Sequence, residues 1–156
     1  MKELKREFLQ IIGSMEDCCI TGSYDDNLRF LSLCVLFNVN NEIRDKAAKL
    51  IKEKDCIIEC LCSNGLPDNS FLNYPDVYEE LWHMLCSNDT SKIKEYVKKK
   101  WYKSHYYSHR FDSHKAKEKL YFGYWAFEVA ALMKVMKIDA ASLNGVEYFP
   151  YDLYCY

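Results

Sequence analysis

The stretch that most constrains this chain is residues 124–136, YWAFEVAALMKVM, which is apolar on nearly every side and carries charge only at Glu128 and Lys134. A helix that is apolar all round in a chain this short belongs in the middle of the fold. Its 13 residues are too few for a bilayer, which needs about 20. Ala126, Ala130 and Ala131 let neighbouring helices approach closely. Residues 137–142 read as a short turn or a single 3₁₀ coil, and Asn144-Gly145 is a turn signal. The chain then runs YFPYDLYCY to its end, with Pro150 biasing Phe149 away from helix. Left in water these rings form an adhesive apolar patch, so the tail is expected to pack back across the fold.

The remaining segments show helical period and no sustained alternation. Leu4, Phe8, Ile11, Ile12 and Met15 form one stripe of a first helix. Ser23 with Asp26 has the look of a capping box, and opens a mostly buried second helix over residues 24–37. Asn38 and Asn40 break and cap a third, with Ile43, Ala47, Leu50 and Ile51 inward and Glu42, Arg44, Asp45, Lys49 and Lys52 outward. A short helix spans residues 56–62, and a surface loop spans 66–73. Pro75 suits the first turn of a fifth helix, which Asp76, Glu79 and Glu80 favour through its dipole. A sixth starts at residues 88–90, with Ile93, Val97 and Trp101 on its inner face. Residues 104–113 read as a helix end and loop, with helix resuming near Lys115. The expected fold is all-α, a single-domain bundle of about six or seven helices with an apolar central helix near the carboxyl end and an aromatic tail packed on it.

At 156 residues one core suffices, and 15% aromatics with only 5 Gly and 3 Pro argue against disorder. The first 17 residues are amphipathic and charged, without the apolar centre of a secretory signal. Cytoplasmic placement is therefore expected, with the eight cysteines as reduced structural thiols rather than a disulfide framework. The net charge of −2 hides an asymmetry: residues 1–90 hold 16 acids against 9 bases, and residues 91–156 hold 12 bases against 7 acids. Residues 55–91 contain seven acids (Asp55, Glu59, Asp68, Asp76, Glu79, Glu80 and Asp89) and no Lys or Arg. A one-signed field of this kind bears on partner choice and association rate rather than on the fold.

Several constellations can carry chemistry. His105, His109 and His114 lie close in sequence with Asp112 between them, and with Glu128 they outline a metal-dependent hydrolase. Against that reading, HExxH is absent, no fourth ligand is well spaced, and the intervening tyrosines suit packing. Cys56, Cys60 and Cys62 lack CxxC spacing, and residue 62 leaves the helical face shared by 56 and 60. Glu128 must find donors or hold a proton, the candidates being Tyr hydroxyls, a Trp N–H, Arg110 or a histidine. A buried hydrogen-bond hub fits it better than a catalytic acid, because no second acid matches it. Residues 92–103 hold six lysines interleaved with Tyr96, Trp101 and Tyr102, so residues 92–119 form a candidate nucleic-acid surface. These lysines also suit a solvated helix face. Phosphate-binding loops and nucleophile elbows are absent, so no cofactor and no catalysis are expected.

Residues 121–128 (YFGYWAFE), the helix after them, Ile138-Asp139 with Ser142-Leu143, and residues 148–153 (YFPYDL) resemble the carboxyl-terminal domain of PoNi immunity proteins. The likeness extends upstream through residues 28–65 and through Lys100-Trp101-Tyr102 with Asp112-Ser113-His114, so that it covers about residues 24–156. Full-length relatives often carry a longer amino-terminal helical region than the helix and turn of residues 1–23 here. The resemblance implies an immunity protein that binds a cognate PoNe toxin, a polymorphic nuclease effector, and blocks its active or substrate-binding surface. It assigns Tyr124, Trp125, Glu128, Tyr148, Pro150, Tyr151 and Asp152 to the scaffold, with the tyrosines and Trp125 as core and tail packing. An acidic inhibitor face complements a nuclease's basic cleft, which makes Asp68, Asp76, Glu79 and Glu80 the expected partner-binding residues. Neither direct nucleic-acid binding nor membrane contact is expected, and the aromatic content allows a homodimer.

Overall fold

Capping residues set several of the helix boundaries in the computed structural model, which describes residues 2–14, 23–63, 65–108, 111, 112, 115 and 124–156. Helix α1 is Lys2–Ser14, and α2 is Tyr24–Leu36, with Ser23 at its N-cap position but no side-chain cap bond. Asn40 caps α3, Asn41–Leu50, by accepting the Glu42 N–H at 3.2 Å. Helices α4, Cys56–Ser63, and α5, Pro75–Cys86, follow. Asp89 caps α6, Thr90–Tyr96, by accepting the Lys92 N–H at 3.1 Å. The chain continues through a π-helical segment, Val97–Trp101, into the single turn α7, Tyr102–Ser104. Helix α8 is Phe127–Val135, a 3₁₀ turn covers Ala141–Leu143, and α9 is Tyr151–Tyr154. The molecule is an all-helical, single-domain bundle, and no strand occurs among the described residues.

Helix α8 lies at the centre. Val129, Ala130, Ala131, Leu132 and Met133 are all fully buried. Its most extensive partner among the described elements is α2, followed by α4, and the alanines permit the close approach. The helix is shorter than expected, because residues 124–126 are not part of it. Ala126 has φ −74° and ψ 63°, and the Phe127 N–H bonds to the Trp125 carbonyl at 2.8 Å. This is an inverse γ-turn. It reverses the chain just before α8 and leaves Trp125 48% exposed, so Trp125 is not core packing. Pro150, buried at φ −80° and ψ 65°, makes a second such turn ahead of α9, closed by the Tyr151 N–H to the Phe149 carbonyl at 2.9 Å. The tail does fold back. Phe149 and Leu153 are buried, and the Tyr154 hydroxyl donates to the Ile138 carbonyl at 2.7 Å.

Two further expectations are corrected. In α3 the inward stripe is rotated: Leu50 is 44% exposed while Arg44 is 5% exposed. Arg44 points inward because its guanidinium donates to the Leu61 carbonyl in the last turn of α4 at 3.4 Å, and also to Asn41. A cation at a helix carboxyl end is favourable. Asp55, counted above among the acids of a one-signed field, is 1% exposed. It accepts the Ile58 N–H at 3.0 Å as the cap of α4, the Tyr24 hydroxyl of α2 at 2.8 Å and the Asn73 N–H at 3.2 Å. The side chains of the first-helix stripe, and the helix expected between Lys115 and α8, lie outside what is described.

Asp55→Ala therefore removes one acceptor from three donors and is expected to destabilise the fold by about 3 kcal/mol. Leu66→Ala, at a site 64% exposed, should change stability by less than about 0.5 kcal/mol. Urea midpoints of the two variants against the parent check both values.

Candidate functional site

Two regions are candidates for functional chemistry. The first is the acidic segment, which folding thins considerably. Asp55 is internal, Glu59 accepts from Asn69 at 2.6 Å, Glu80 pairs with Lys100 at 2.6 Å, and Asp89 pairs with Lys92 at 3.0 Å. Asp76, Glu79 and Glu80 share the outer face of α5 at helical spacing and are all exposed. Asp68 does not join them. It borders a depression with Lys54, Ser63 and Leu66 near the carboxyl end of α4. The loop then runs back along α4 until the Phe71 carbonyl accepts the Cys56 N–H at 2.9 Å.

Four rings are also exposed: Phe71 and Tyr74 in the loop before α5, and Tyr106 and Tyr107, which were expected to pack. Phe71 is 61% exposed, Tyr74 41%, Tyr107 42% and Tyr106 73%. Tyr74 and Tyr107 are joined from beneath. Tyr74 packs on the buried Tyr24 at 4.7 Å, Tyr24 on Tyr78 at 6.0 Å, and the Tyr78 and Tyr107 hydroxyls meet at 3.5 Å. Burial and then the Asp55 carboxylate push the Tyr24 hydroxyl far above its ordinary range, and Tyr107 is raised to about 12 by burial. Both are neutral hydrogen-bonding groups. Exposed aromatics beside carboxylates have the composition of protein-binding surface.

The second region is built around Glu128, which is 7% exposed. One of the donors foreseen for it, the Trp101 indole, bonds to it, and a second candidate, His105, lies beside it. The Trp101 indole N–H bonds to Oε1, and His105 Nε2 lies 3.8 Å from the same oxygen. The π-helical segment places Trp101 there while turning Lys98, Lys99 and Lys100 to solvent. The extra residue per turn shifts the faces of the helix. His105 is held by its other nitrogen, Nδ1, 2.7 Å from the Trp101 carbonyl and 3.1 Å from Ser104 Oγ. Burial raises the Glu128 carboxyl above the ordinary range, His105 and the indole pull the other way, and Asp25 adds to the rise. A cavity of about 90 Å³ opens beside it, lined among others by Asp25, Tyr78, Tyr124 and Trp125.

The motif residues divide between scaffold and surface. Tyr148 stacks on Tyr102 at 5.6 Å and lies 5.5 Å from Trp101, and Tyr124 meets Tyr102 edge-on at 4.8 Å. Tyr151 is half-buried and Asp152 exposed. Cys34, Cys56 and Cys60 are buried, and burial pushes the Cys56 and Cys60 thiols up to about 12. Cys86 and Cys155 are exposed, contrary to a wholly buried set, because each sits at the outer end of its helix. His109, His114 and Arg110 lie outside the described residues. Among the described residues no three His, Cys, Asp or Glu side chains gather as metal ligands, and no helix is long and apolar enough to cross a membrane. Of the six lysines in residues 92–103, Lys92, Lys99 and Lys100 are engaged by Asp89, Glu95 and Glu80, which weakens that face as a phosphate-binding surface.

Residues 53–153 match the family model described as PoNe immunity proteins (PoNi), C-terminal. The match begins within the segment before α4 and takes in Glu128, Trp101 and His105, whereas residues 24–52, where the resemblance was also read and which include Asp25, fall outside it. No curated protein and no solved structure matches the chain.

A carboxyl whose value is raised on folding binds its proton more tightly in the folded than in the unfolded chain. Its favourable contribution is present below the ordinary carboxylate range, about 4.3, and is lost as pH rises through the raised value. The stability of the parent is thus expected to fall relative to Glu128→Gln as pH rises from 4.5 to 8. A relative gain for the variant of about 2–4 °C in Tm corresponds to roughly 1 kcal/mol in a chain of this size. Parallel Tm–pH profiles for the two proteins would contradict the assignment.

Proposed function

The chain belongs to the family of PoNe immunity proteins, and from that premise we propose that it neutralises a cognate PoNe-type nuclease toxin by binding it and covering its active or substrate-binding surface. The function is non-catalytic: the toxin is held, not modified. The family match is the observation that carries this reading. The docking surface is the outer face of α5 with the loop before it, where Asp76 and Glu79 have no ion-pair partner among the described residues and Phe71 and Tyr74 are exposed.

Each part has a physical role. A nuclease must attract phosphate, so its cleft is basic, and free carboxylates on an inhibitor steer the two surfaces together. Exposed rings supply desolvated anchors once docked. Glu80 contributes less, since Lys100 already compensates its charge, and Asp68 lies apart near Lys54. One-to-one binding suffices for this mode of inhibition, and a homodimer is not required.

Co-expression with the product of the adjacent upstream gene, as the candidate toxin, tests the reading. Protection of growth together with co-purification of the pair is the expected result, and a toxin that neither binds nor is neutralised would end it. Within the complex, Asp76→Asn combined with Glu79→Gln should slow association about tenfold at low salt, with the difference shrinking as salt screens the charges. Asp68→Asn should change the rate by less than about twofold. Stopped-flow association at two ionic strengths gives both numbers, and equal salt slopes for parent and double variant would remove the acids from the interface.

A further inference from the structure

The cavity at Glu128 has walls of rings and a floor of carboxylate. Tyr78, Trp101, Tyr102, Tyr124 and Trp125 line it, and its volume of about 90 Å³ is small beside the roughly 300–1,000 Å³ of pockets that take whole metabolites. It suits the head group of a single side chain. An anion entering it meets Glu128 and Asp25. A purely apolar group buries the carboxylate further without compensating it, at a cost in desolvation. A cation gains on both counts, since it meets the carboxylate and the negative faces of the rings. Among cations, guanidinium is planar, weakly hydrated and able to stack while donating hydrogen bonds.

The chain shows this chemistry on its own wall. Arg29 lays its guanidinium over the Phe127 ring at 5.2 Å, and both residues line the cavity. Arg29 is not bonded to Glu128, whose hydrogen bonds and ion pairs among the described residues are to Trp101 and His105. Trp125 stands at the mouth, 48% exposed on its γ-turn. An exposed tryptophan beside a half-open pocket is the kind of residue that dominates binding energy at interfaces. The cavity is also continuous with the exposed rings next to the acidic face, through Tyr78 to Tyr107 and His105 to Tyr107.

We infer that this pocket is a guanidinium site and that its occupant is an arginine side chain presented by the toxin, with Glu128 as counter-charge and Trp125 as the stacking lid. The inference rests on the immunity reading for its occupant, but the site itself can be probed without the toxin. In the ¹⁵N-labelled chain the indole N–H signals of Trp101 and Trp125 report the pocket, and that of the buried Trp82, which does not line it, serves as control. Acetyl-arginine-amide should shift the first two saturably at millimolar concentration, as expected for so small a ligand. Its neutral isostere acetyl-citrulline-amide should bind at least about tenfold more weakly, the loss expected for removing a charge-assisted contact. Glu128→Gln should erase the preference to within about twofold. Trp125→Ala, at an exposed position, keeps the fold and should weaken the arginine probe severalfold even if the glutamine variant fails to fold.

Equal response to the two probes, or an undiminished arginine preference in both variants, overturns the site. With the toxin present, Glu128→Gln and Trp125→Ala should each lower affinity at least about tenfold, within the range for interface anchors. Affinities within twofold of the parent reject the toxin's arginine as occupant while leaving the immunity reading intact. A chain that prefers the arginine probe but neither binds nor neutralises the toxin supports the guanidinium site and rejects the toxin as its source.

Discussion

A carboxylate on a helix with no solvent-facing side is the constraint on which much of this architecture turns. Helix α8 must be apolar to sit between α2 and α4, and Glu128 is the acidic residue in its first turn. Its polar contacts are not drawn from α2, although Asp25 and Arg29 of that helix line the same cavity, nor from α4. They come instead from the α6–α7 arm, where the π-helical segment sets Trp101 beneath Glu128 and the following turn brings His105 to 3.8 Å. A regular helical turn would place residue 101 about one residue's rotation away from this position. The irregular helix is thus matched to the buried acid.

The two sequence patterns that suggested the family are physically one unit. The Ala126 N–H donates to the Tyr148 carbonyl at 2.9 Å, joining the approach to α8 to the tail. Tyr148 makes this contact at φ 68°, a left-handed conformation that is uncommon for a bulky residue and persists only when its surroundings over-determine it. Here the ring is pinned between Trp101 and Tyr102. Each pattern then enters its helix through an inverse γ-turn, centred on Ala126 in one and on Pro150 in the other. The shared requirement is for a small residue and a proline at the two turn centres, and for rings that interlock across them.

Features governed by local chemistry were readable from the sequence. Pro75, Asn40 and Asp89 mark helix starts because capping and first-turn preferences depend on a few consecutive residues. The centrality of α8 followed from its lack of a polar face. What was missed depends on distant partners. Asp55 precedes an apolar helix and so carries a cap signal, yet its Tyr24 and Asn73 contacts span 31 and 18 residues. Arg44 reads as surface by type and is internal because the end of α4 offers a carbonyl. Trp125 reads as core by composition, and a single turn at the next residue turns it out. At the candidate site, the acids on α5 were legible as a field, whereas the exposed rings beside them depend on which face each buried tyrosine beneath them occupies.

The division between what holds the fold and what faces a partner follows from how charge is spent. Asp89, Glu95 and Glu80 engage lysines of the sixth helix and its extension, and exposed pairs of this kind contribute little to stability, about 0–1 kcal/mol each. Their larger effect is to cancel field on both sides. The basic arm is less attractive to phosphate than its composition implies, and the acidic segment is reduced on α5 to a small cluster. Free carboxylates at that density accelerate encounter but do not supply lasting affinity, because surface attraction is screened within about 8–10 Å. Lasting affinity has to come from groups that lose water on docking. On the proposed face the exposed rings are Phe71, Tyr74, Tyr106 and Tyr107, with Trp125 at the Glu128 cavity. Aromatic side chains have few rotatable bonds and lose little conformational entropy on binding, which suits the docking mode proposed above.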